Sequence, residues 1–245
     1  MGTKKEENKK DYTIVIIAFI AIVILVFGIG VLLYNKGAEG GSKVPGGSEG
    51  QVPEKKTESQ ETDFTQWITD TIEGNYYIPS LTFDTEDAKA INAEISQAVE
   101  GRPAESTEER PYGIGYNSYC NKGILSLEMI ATDGEVSSYY IYNVDTENGL
   151  RVSNSDLLAK FGIKEENAIE AIKSSVSSLF RSQYVVENED EEYLAALDAT
   201  VAEVTGDMKM YLNDRTDLCA VVKMHVPGSD DLVENVVVLG LDGLK

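Results

Sequence analysis

Histidine and positive charge are the two features that this chain has least of. Its 245 residues include one histidine, His225, so the sequence contains neither an HExxH zinc site nor a centre built from several histidines. Lysine and arginine number 21 against 42 aspartates and glutamates, which gives a formal net charge of −21. Because like charges repel, nucleic acid and anionic lipid headgroups are poor partners. A basic protein or a cation would instead be attracted.

Catalytic pairings are also scarce. Cys219 and His225 lie six residues apart in one strand-like segment, which separates them by roughly 20 Å of extended chain, too far for a Cys-His dyad. A Ser-His pair stays open, although an ordinary strand position explains His225 more simply. The abundant carboxylates allow an acid-base pair but single out none. We therefore expect that the protein is not an enzyme, with no metal and no cofactor.

Cysteine is limited to Cys120 and Cys219, each in a segment predicted to be a strand. Outside the cytoplasm these residues could form a disulfide around a loop of about 100 residues, which contributes roughly 4 to 5 kcal/mol in the chain-entropy model. Two unpaired, buried thiols explain the same residues equally well. Both alternatives stay open.

One long apolar run is present near the N-terminus. Residues 14–33, IVIIAFIAIVILVFGIGVLL, carry no charge and would span about 30 Å as a helix, the thickness of the hydrocarbon core of a bilayer. Four lysines precede the run within residues 4–10, and only two follow closely, within residues 36–43. This bias predicts a cytoplasmic N-terminus. A cleaved signal peptide is the alternative, but its apolar core is typically shorter.

The chain therefore divides into four segments. We predict a cytoplasmic N-terminus at 1–13, a transmembrane helix at 14–34, a disordered Gly/Ser/Pro/Glu/Lys linker at 35–63 and an extracytoplasmic domain at 64–245, which could comprise subdomains 64–148 and 149–245. The last segment holds 33 acidic and 13 basic residues, a formal charge of −20. We expect a single-pass protein of the cell membrane with its C-terminal domain outside the cell.

The pattern of the last segment predicts an α+β fold with an antiparallel sheet and helices segregated to one side. Three segments of period two, 114–120, 124–131 and 136–145, are joined by short turns and predict a meander. In the middle strand the apolar residues share one face, and Ser126 and Glu128 lie on the other, so we expect one covered face and one wetter face.

Other segments complete this prediction. Residues 64–72 fit a strand or a helix. Further strands are expected at 77–83, 208–212, 218–226 and 232–241. Helices are expected after a cap at Asp84 or Thr85, at 153–161, around Ile172, and at 191–204 with Leu194, Leu197, Val201 and Val204 on its apolar stripe.

Tyrosines and acidic residues supply the candidate binding residues. Eight tyrosines lie between residues 76 and 142, among them Tyr139, Tyr140 and Tyr142. Packing in a sheet explains them first, and stacking on a glycan or anchoring of a protein partner is the alternative. Glu189, Asp190 and Glu191 stand at the start of the last predicted helix, where acids complement the positive helix end. A site for a cation or a basic partner is the alternative there.

Four segments carry a family resemblance: YIPSLTFDTEDAKAINAEI, GILSLEM, YYIYNVDTENGLRVSNSDLLAKF and MKMYLNDRTDLCAVVKMHVP. Together they resemble the exported domain of RsiV-type anti-sigma factors, which is also found beside some peptidoglycan deacetylases. The likeness covers most of residues 76–241 and is strongest at 140–161. The matched residues are Ile91, Asn92, Asn143, Asp145, Gly149, Asp156 and Leu157.

The matched residues also have local explanations. Asn143 and Asp145 end a strand where their side chains can bond the turning backbone, Gly149 provides a positive φ, and Asn154 or Ser155 caps the next helix.

The resemblance implies a sensor that binds lysozyme. Unlike an RsiV-type protein, this chain has about a dozen residues before the membrane run in place of a folded cytoplasmic domain, so anti-sigma activity is not expected. We expect a binding or sensing module for a cationic protein such as lysozyme or for a cell-wall component, including a cell-wall glycan. A structural protein of the cell envelope and, less favoured, a peptidoglycan-acting hydrolase are the alternatives.

Overall fold

The computed structural model describes residues 63–74, 76–100, 112–134 and 136–245. The predicted membrane helix at 14–34 and, apart from Asp63, the predicted linker lie outside these residues. Asp63–Lys245 form one compact unit. No helix in the described part of the chain is both long enough and apolar enough to cross a membrane.

The described residues fold as an α+β unit with four α-helices and eight strands. The helices are α1 (Glu86–Val99), α2 (Asn154–Lys160), α3 (Glu165–Gln183) and α4 (Glu191–Ala202). The strands are β1 (Ile68–Glu73), β2 (Tyr76–Leu81), β3 (Tyr112–Asn121), β4 (Ile124–Asp133), β5 (Val136–Asp145), β6 (Lys209–Leu212), β7 (Leu218–His225) and β8 (Leu232–Leu239). Short 3₁₀ helices occupy Phe64–Gln66 and Leu241–Gly243.

The first sheet has the strand order β1-β2-β3-β4-β5. Its predicted meander of β3, β4 and β5 is confirmed, with both turns where the sequence places them. The sheet is mixed rather than antiparallel, because β2 and β3 run parallel at Tyr76 and Ile114. Helix α1 lies between these two strands in the chain and allows the parallel crossover. The ambiguous segment 64–72 contains a 3₁₀ turn followed by strand β1.

Helix α1 begins at its predicted cap and covers one face of this sheet. The Thr85 hydroxyl accepts the N–H of Ala88, and Ile91 and Ile95 are buried on the inner side of the helix. They pack against the apolar face of β4, whose residues are Leu125, Leu127, Met129 and Ala131. Burial of this face is the main local source of stability, because apolar burial contributes roughly 25 cal/mol per Å².

The second sheet has the order β6-β7-β8 and is antiparallel throughout. Helices α2 and α3 cover one of its faces, where Ile172 and Val176 meet Ala220 and Val222. The cap of α2 is Ser153 rather than the expected Asn154 or Ser155. Asn154 is used elsewhere, because its side chain donates to the carbonyls of Gly206 and Met208.

The remaining faces of the two sheets meet each other. The expectation of a single sheet with helices on one side is therefore wrong, because α1 and α3 lie on outer faces of two stacked sheets. The expectation of a wetter face on β4 is wrong for the same reason: Ser126 is 1% exposed and Glu128 is 4% exposed. The first sheet's polar face is covered by the second sheet, which contributes the buried Tyr211.

The apolar stripe expected on α4 also differs. Leu197 is buried as expected, but Leu194 is 41% exposed and Tyr193 and Thr200 are buried instead. The Thr200 hydroxyl accepts the N–H of His225 at 2.9 Å, so the helix turns this polar residue toward the end of β7.

Candidate functional site

Strand β5 is one of the two edge strands of the first sheet and carries the predicted tyrosines. The N–H of Tyr139 donates to Glu234 Oε2 at 2.7 Å, and its carbonyl accepts from Lys209 Nζ at 2.5 Å. Lys209 and Glu234 are themselves ion-paired at 2.8 Å. The second sheet therefore closes this part of the β5 edge with an ion pair.

The three tyrosines of β5 point in alternating directions. Tyr139 lies on the face toward the second sheet, and burial raises the pKa of its hydroxyl. Tyr140 and Tyr142 belong to the core beneath α1. Tyr142 is 5% exposed, and burial raises its pKa to about 12. Its ring lies 5.8 Å from the Arg151 guanidinium, which suits a cation-π contact. Packing against neighbouring residues thus explains the positions of all three tyrosine rings.

A cavity of about 480 Å³ lies beside β5. Four separate segments line it: the strand itself, the turn and helix start from Arg151 to Ser155, Glu165 at the start of α3, and the chain that leads into β6. Its charged side chains and hydroxyl groups include Arg151, Ser153, Ser155, Glu165, Asp207 and Lys209. Arg151 is held in place by Glu94, at 2.6 Å. The cavity therefore presents both signs of charge together with hydroxyl groups.

Glycine at position 206 lets the Glu165 carboxylate lie close to the backbone at this cavity. A Cβ atom built on Gly206 would lie well inside van der Waals contact with Glu165 Oε1. A side chain at position 206 would therefore push the flexible end of Glu165 away from this place.

Exposed acids form a second candidate region, which we name the acidic surface. It consists of Glu187, Glu189, Asp190, Glu191 and Glu192 before and at the start of α4, with Asp230 and Asp231 from the loop between β7 and β8. The two segments approach each other, because a Cβ built on Gly228 of that loop would lie 3.5 Å from Glu192 Oε2.

Two of the three predicted acidic residues have structural partners. Asp190 is the cap of α4 and accepts the N–H of Tyr193 at 2.9 Å. Glu189 pairs with Arg181 at 3.0 Å. Glu191 is exposed in the first turn of the helix, where an acid complements the helix dipole. The acidic surface thus combines helix-capping groups with free carboxylates.

A buried carboxylate, Glu128, lies between the sheets. It accepts hydrogen bonds from Asn117 Nδ2 at 2.9 Å, from the Tyr119 hydroxyl at 3.2 Å and from the Tyr211 hydroxyl at 2.6 Å. The two tyrosine rings stack at 5.8 Å. Burial and the nearby Glu128 charge raise the pKa of both hydroxyls, so both remain hydrogen-bond donors. This cluster joins the sheets at a place with little access to solvent.

Both cysteines are free, so the disulfide that the sequence allowed is not formed in the structure. Cys219 pairs with Tyr211 across β6 and β7 and belongs to the inter-sheet side. Cys120 follows Tyr119 in β3, and because side chains alternate along a strand it projects to the opposite face. Burial raises the pKa of Cys219 to about 12.

Sequence reasoning missed a set of asparagines that bond backbone carbonyls across the fold. Asn143 donates to Met210 O and Asn154 donates to Met208 O, each at 2.7 Å. Asn121 donates to Asn213 O at 3.0 Å. Asn143 was expected to bond a local turn, but its amide reaches the other sheet. An asparagine inside a strand pattern was the available signal, because strands are poor in this residue.

Asp145 and Gly149 have the local roles expected of them. Asp145 Oδ1 accepts the N–H of Glu147 at 2.9 Å, and Gly149 has a φ of 69°.

In the described residues, no three acidic, cysteine or histidine side chains are grouped as metal ligands would be. No protein-family model, curated protein or solved structure matches this chain.

Proposed function

We propose that this protein is a membrane-anchored, extracytoplasmic module that binds or senses a cationic protein such as lysozyme, without catalysis. The observation that carries this proposal is the acidic surface, in a domain with a formal charge of −20. Among the described residues, Glu187, Glu191 and Glu192 have no ion-pair partner. Such carboxylates attract cations over about a Debye length, roughly 10 Å at 0.1 M salt.

Apolar side chains near the acidic surface would add contact area. Val185 follows α3 and is 69% exposed, and Leu194 on α4 is 41% exposed. Charge complementarity chiefly sets the rate and specificity of binding, whereas buried apolar anchors supply much of the affinity. A cationic protein with an apolar contact of its own would use both kinds of group.

The sequence supports the location that this function requires. The apolar run at 14–33 would anchor the chain, and the polar segment at 35–63 would hold the domain away from the lipid. The resemblance to RsiV-type exported domains also favours lysozyme as the first partner to test.

Binding of lysozyme to the full chain in detergent micelles tests the proposal. We expect binding that weakens as salt concentration rises, because exposed charges are screened. One variant neutralises the acidic surface with Glu187→Gln, Glu191→Gln, Glu192→Gln and Asp230→Asn. A control variant removes the same charge elsewhere with Asp70→Asn, Glu73→Gln, Glu100→Gln and Glu147→Gln. We expect the first variant to raise Kd about tenfold or more and the control to change it much less.

Two results would contradict this proposal. Lysozyme that fails to bind at low ionic strength would exclude the cationic partner tested. Equal weakening by both variants would show that net charge alone attracts lysozyme, without a defined surface.

A cell-wall glycan is a second candidate ligand, favoured by the cavity beside β5. Hydroxyl, carboxylate and guanidinium groups together suit a ligand rich in hydroxyl groups. Sedimentation of the full chain with insoluble peptidoglycan tests this candidate. We expect Asp207→Ala and Ser155→Ala to reduce the bound fraction and high salt to leave it nearly unchanged. Binding through the acidic surface would instead be weakened by high salt and unaffected by these two substitutions.

A further inference from the structure

Three of the four sheet edges in the described chain carry some protection against pairing with another strand. At the edge of β5, Glu234 accepts the N–H of Tyr139 and Lys209 donates to the carbonyl of Tyr139. The N–H of Val152 donates to the carbonyl of Asn143 on the same edge. At the edge of β6, asparagine side chains bond the carbonyl of Met210 within the strand and the carbonyls of Met208 and Asn213 on either side of it. The edge of β1 carries exposed acids at two of its six positions, and charge on an edge strand opposes pairing.

Strand β8 forms the fourth edge, and among the described residues it has neither hydrogen bonds to its outward backbone groups nor an unpaired charge. The N–H of Val226 donates to the carbonyl of Asp231, which fixes the alternation of hydrogen bonds along the hairpin. Consequently Asn235 directs its backbone groups toward β7, whereas Glu234 and Val236 direct theirs outward. No strand of the described chain pairs with this outer edge. The only charged side chain of β8, Glu234, is already paired with Lys209.

The exposed side chains of β8 are arranged symmetrically. Leu232 is 46% exposed and Val238 is 53% exposed, and each stands three residues from Asn235. A two-fold axis at Asn235 that relates two antiparallel copies would place Leu232 of each copy opposite Val238 of the other. Glu234 would then face Val236, so no like charges oppose each other. A second copy therefore covers both exposed side chains at once.

Asn235 supplies an independent indication. Its Nδ2 atom is buried and has no hydrogen-bond partner among the described residues. At the axis, Asn235 of the two copies would form a non-hydrogen-bonded strand pair with Cα atoms about 4.5 Å apart. Because Nδ2 is closed off from solvent in the single copy, the Asn235 side chain must rotate toward the open edge before it can reach a second copy. After that rotation the side chains of such a pair are close enough for each Nδ2 to donate to the other Oδ1, which would give the donor an acceptor that the single copy lacks.

We propose that β8 is a homodimer interface, in which two copies pair antiparallel about an axis at Asn235 and form a continuous six-stranded sheet. A second copy fits this edge better than a cationic partner, because β8 offers no free carboxylate to attract one. The interface is isologous, so the assembly closes as a dimer.

Cysteine cross-linking in the full chain tests the axis directly. In a background with Cys120→Ser and Cys219→Ala, the substitution Asn235→Cys places two thiols opposite each other within disulfide range. We expect oxidation of membranes with copper phenanthroline to give a covalent dimer on a gel without reductant. The matched control is Ile72→Cys on β1, a position that is 63% exposed, and it is expected to stay monomeric. Equal cross-linking at both positions, or none at Asn235→Cys, would overturn the proposal.

A measurement without cysteine chemistry guards against a failed variant. Analytical ultracentrifugation of the full chain in detergent is expected to show a dimer that salt strengthens, because screening reduces repulsion between two acidic copies. Val238→Lys is expected to raise the dimer Kd about tenfold or more. Leu194→Lys on α4 is the control, since that exposed residue lies on another element, and should leave the Kd unchanged. A wild-type chain that is monomeric at every concentration would exclude the interface.

Discussion

Asn143 Nδ2 donates a 2.7 Å hydrogen bond to the carbonyl oxygen of Met210, and this bond ties β5 of the first sheet to β6 of the second. The other end of the amide, Asn143 Oδ1, accepts from the Ser126 hydroxyl at 2.7 Å. Asn143 is 6% exposed, so solvent has little access to replace either partner. Because a buried polar group without a partner is costly, this side chain stabilises the contact between the sheets.

Replacing this asparagine is expected to weaken the fold strongly. Asn143→Ala leaves the Met210 carbonyl and the Ser126 hydroxyl without their partner, which should lower the free energy of unfolding by about 2 to 4 kcal/mol. Urea denaturation of residues 63–245 measures the change. The control is Asn148→Ala, which removes an exposed 2.9 Å bond to the N–H of Leu150 and should cost about 1 kcal/mol or less. Equal losses of unfolding free energy in the two variants would show that the inter-sheet hydrogen bond stabilises the fold no more than an exposed turn bond does.

Gly149 is expected to tolerate no side chain. It has a φ of 69°, and a Cβ atom would lie 2.6 Å from Cβ and Cγ of Phe83. Gly149→Ala therefore combines a left-handed backbone with a steric clash and should cost about 2 kcal/mol or more. Gly162→Ala separates the two effects, because φ is 71° there but no atom lies within 4 Å. Thermal unfolding should give a clearly smaller loss for Gly162→Ala, and the reverse order would contradict this account.

Local elements could be predicted because their signals are local. The Thr85 cap, the strand periodicity and the two tight turns of the meander all depend on neighbouring residues. Packing between distant segments has no such signal. Ser126 and Glu128 alternate with apolar residues and therefore resemble solvent-facing positions, yet their partners lie on β5, β3 and β6. The alternating pattern therefore assigns these two polar residues to the correct face of β4 but wrongly predicts that this face is exposed to solvent.

Helix α4 illustrates the same limit of sequence patterns. Hydrophobicity favoured Leu194 on the inner face, but β6 has only four residues and leaves the end of β7 without a strand partner on that side, although β8 still pairs with it on the other. The Thr200 hydroxyl accepts the N–H of His225 there, so the helix presents Thr200 inward and Leu194 outward. The cavity beside β5 was equally hidden, because residues from Ile141 to Met210 converge on it and no spacing in the sequence connects them.

Buried tyrosines should make the domain sensitive to alkaline pH. Burial raises the pKa of Tyr184 and Tyr142 to about 12, and it also raises the pKa of Tyr119 and Tyr211. An unfolded tyrosine has a pKa of about 10, so above that pH the unfolded chain releases protons that the folded chain keeps. Stability is therefore fully present below about pH 10 and falls as the pH rises further.

Urea denaturation at a series of pH values measures this loss. Each tyrosine of this kind contributes a slope of up to about 1.4 kcal/mol per pH unit. We expect Tyr184→Phe to flatten the slope by about one tyrosine, because burial alone raises the pKa of its hydroxyl. Tyr77→Phe is the control, since that ring is 49% exposed, and should leave the slope unchanged. Identical slopes in both variants would contradict the role of burial.

The two cysteines should differ in reactivity. Cys219 is 2% exposed and burial raises its pKa to about 12, whereas Cys120 is only partly buried. Because the thiolate is the reactive form, alkylation of native protein by iodoacetamide at about pH 8 should modify Cys120 first and Cys219 about a thousandfold more slowly than an ordinary thiol. Peptide mass spectrometry resolves the two sites. Denaturation should expose Cys219 and make both rates similar.

The same alkylation tests for a disulfide between Cys120 and Cys219 in protein isolated from the cell envelope. If both residues resist alkylation even when the protein is denatured, and react only after reduction, the two thiols form a disulfide in the cell.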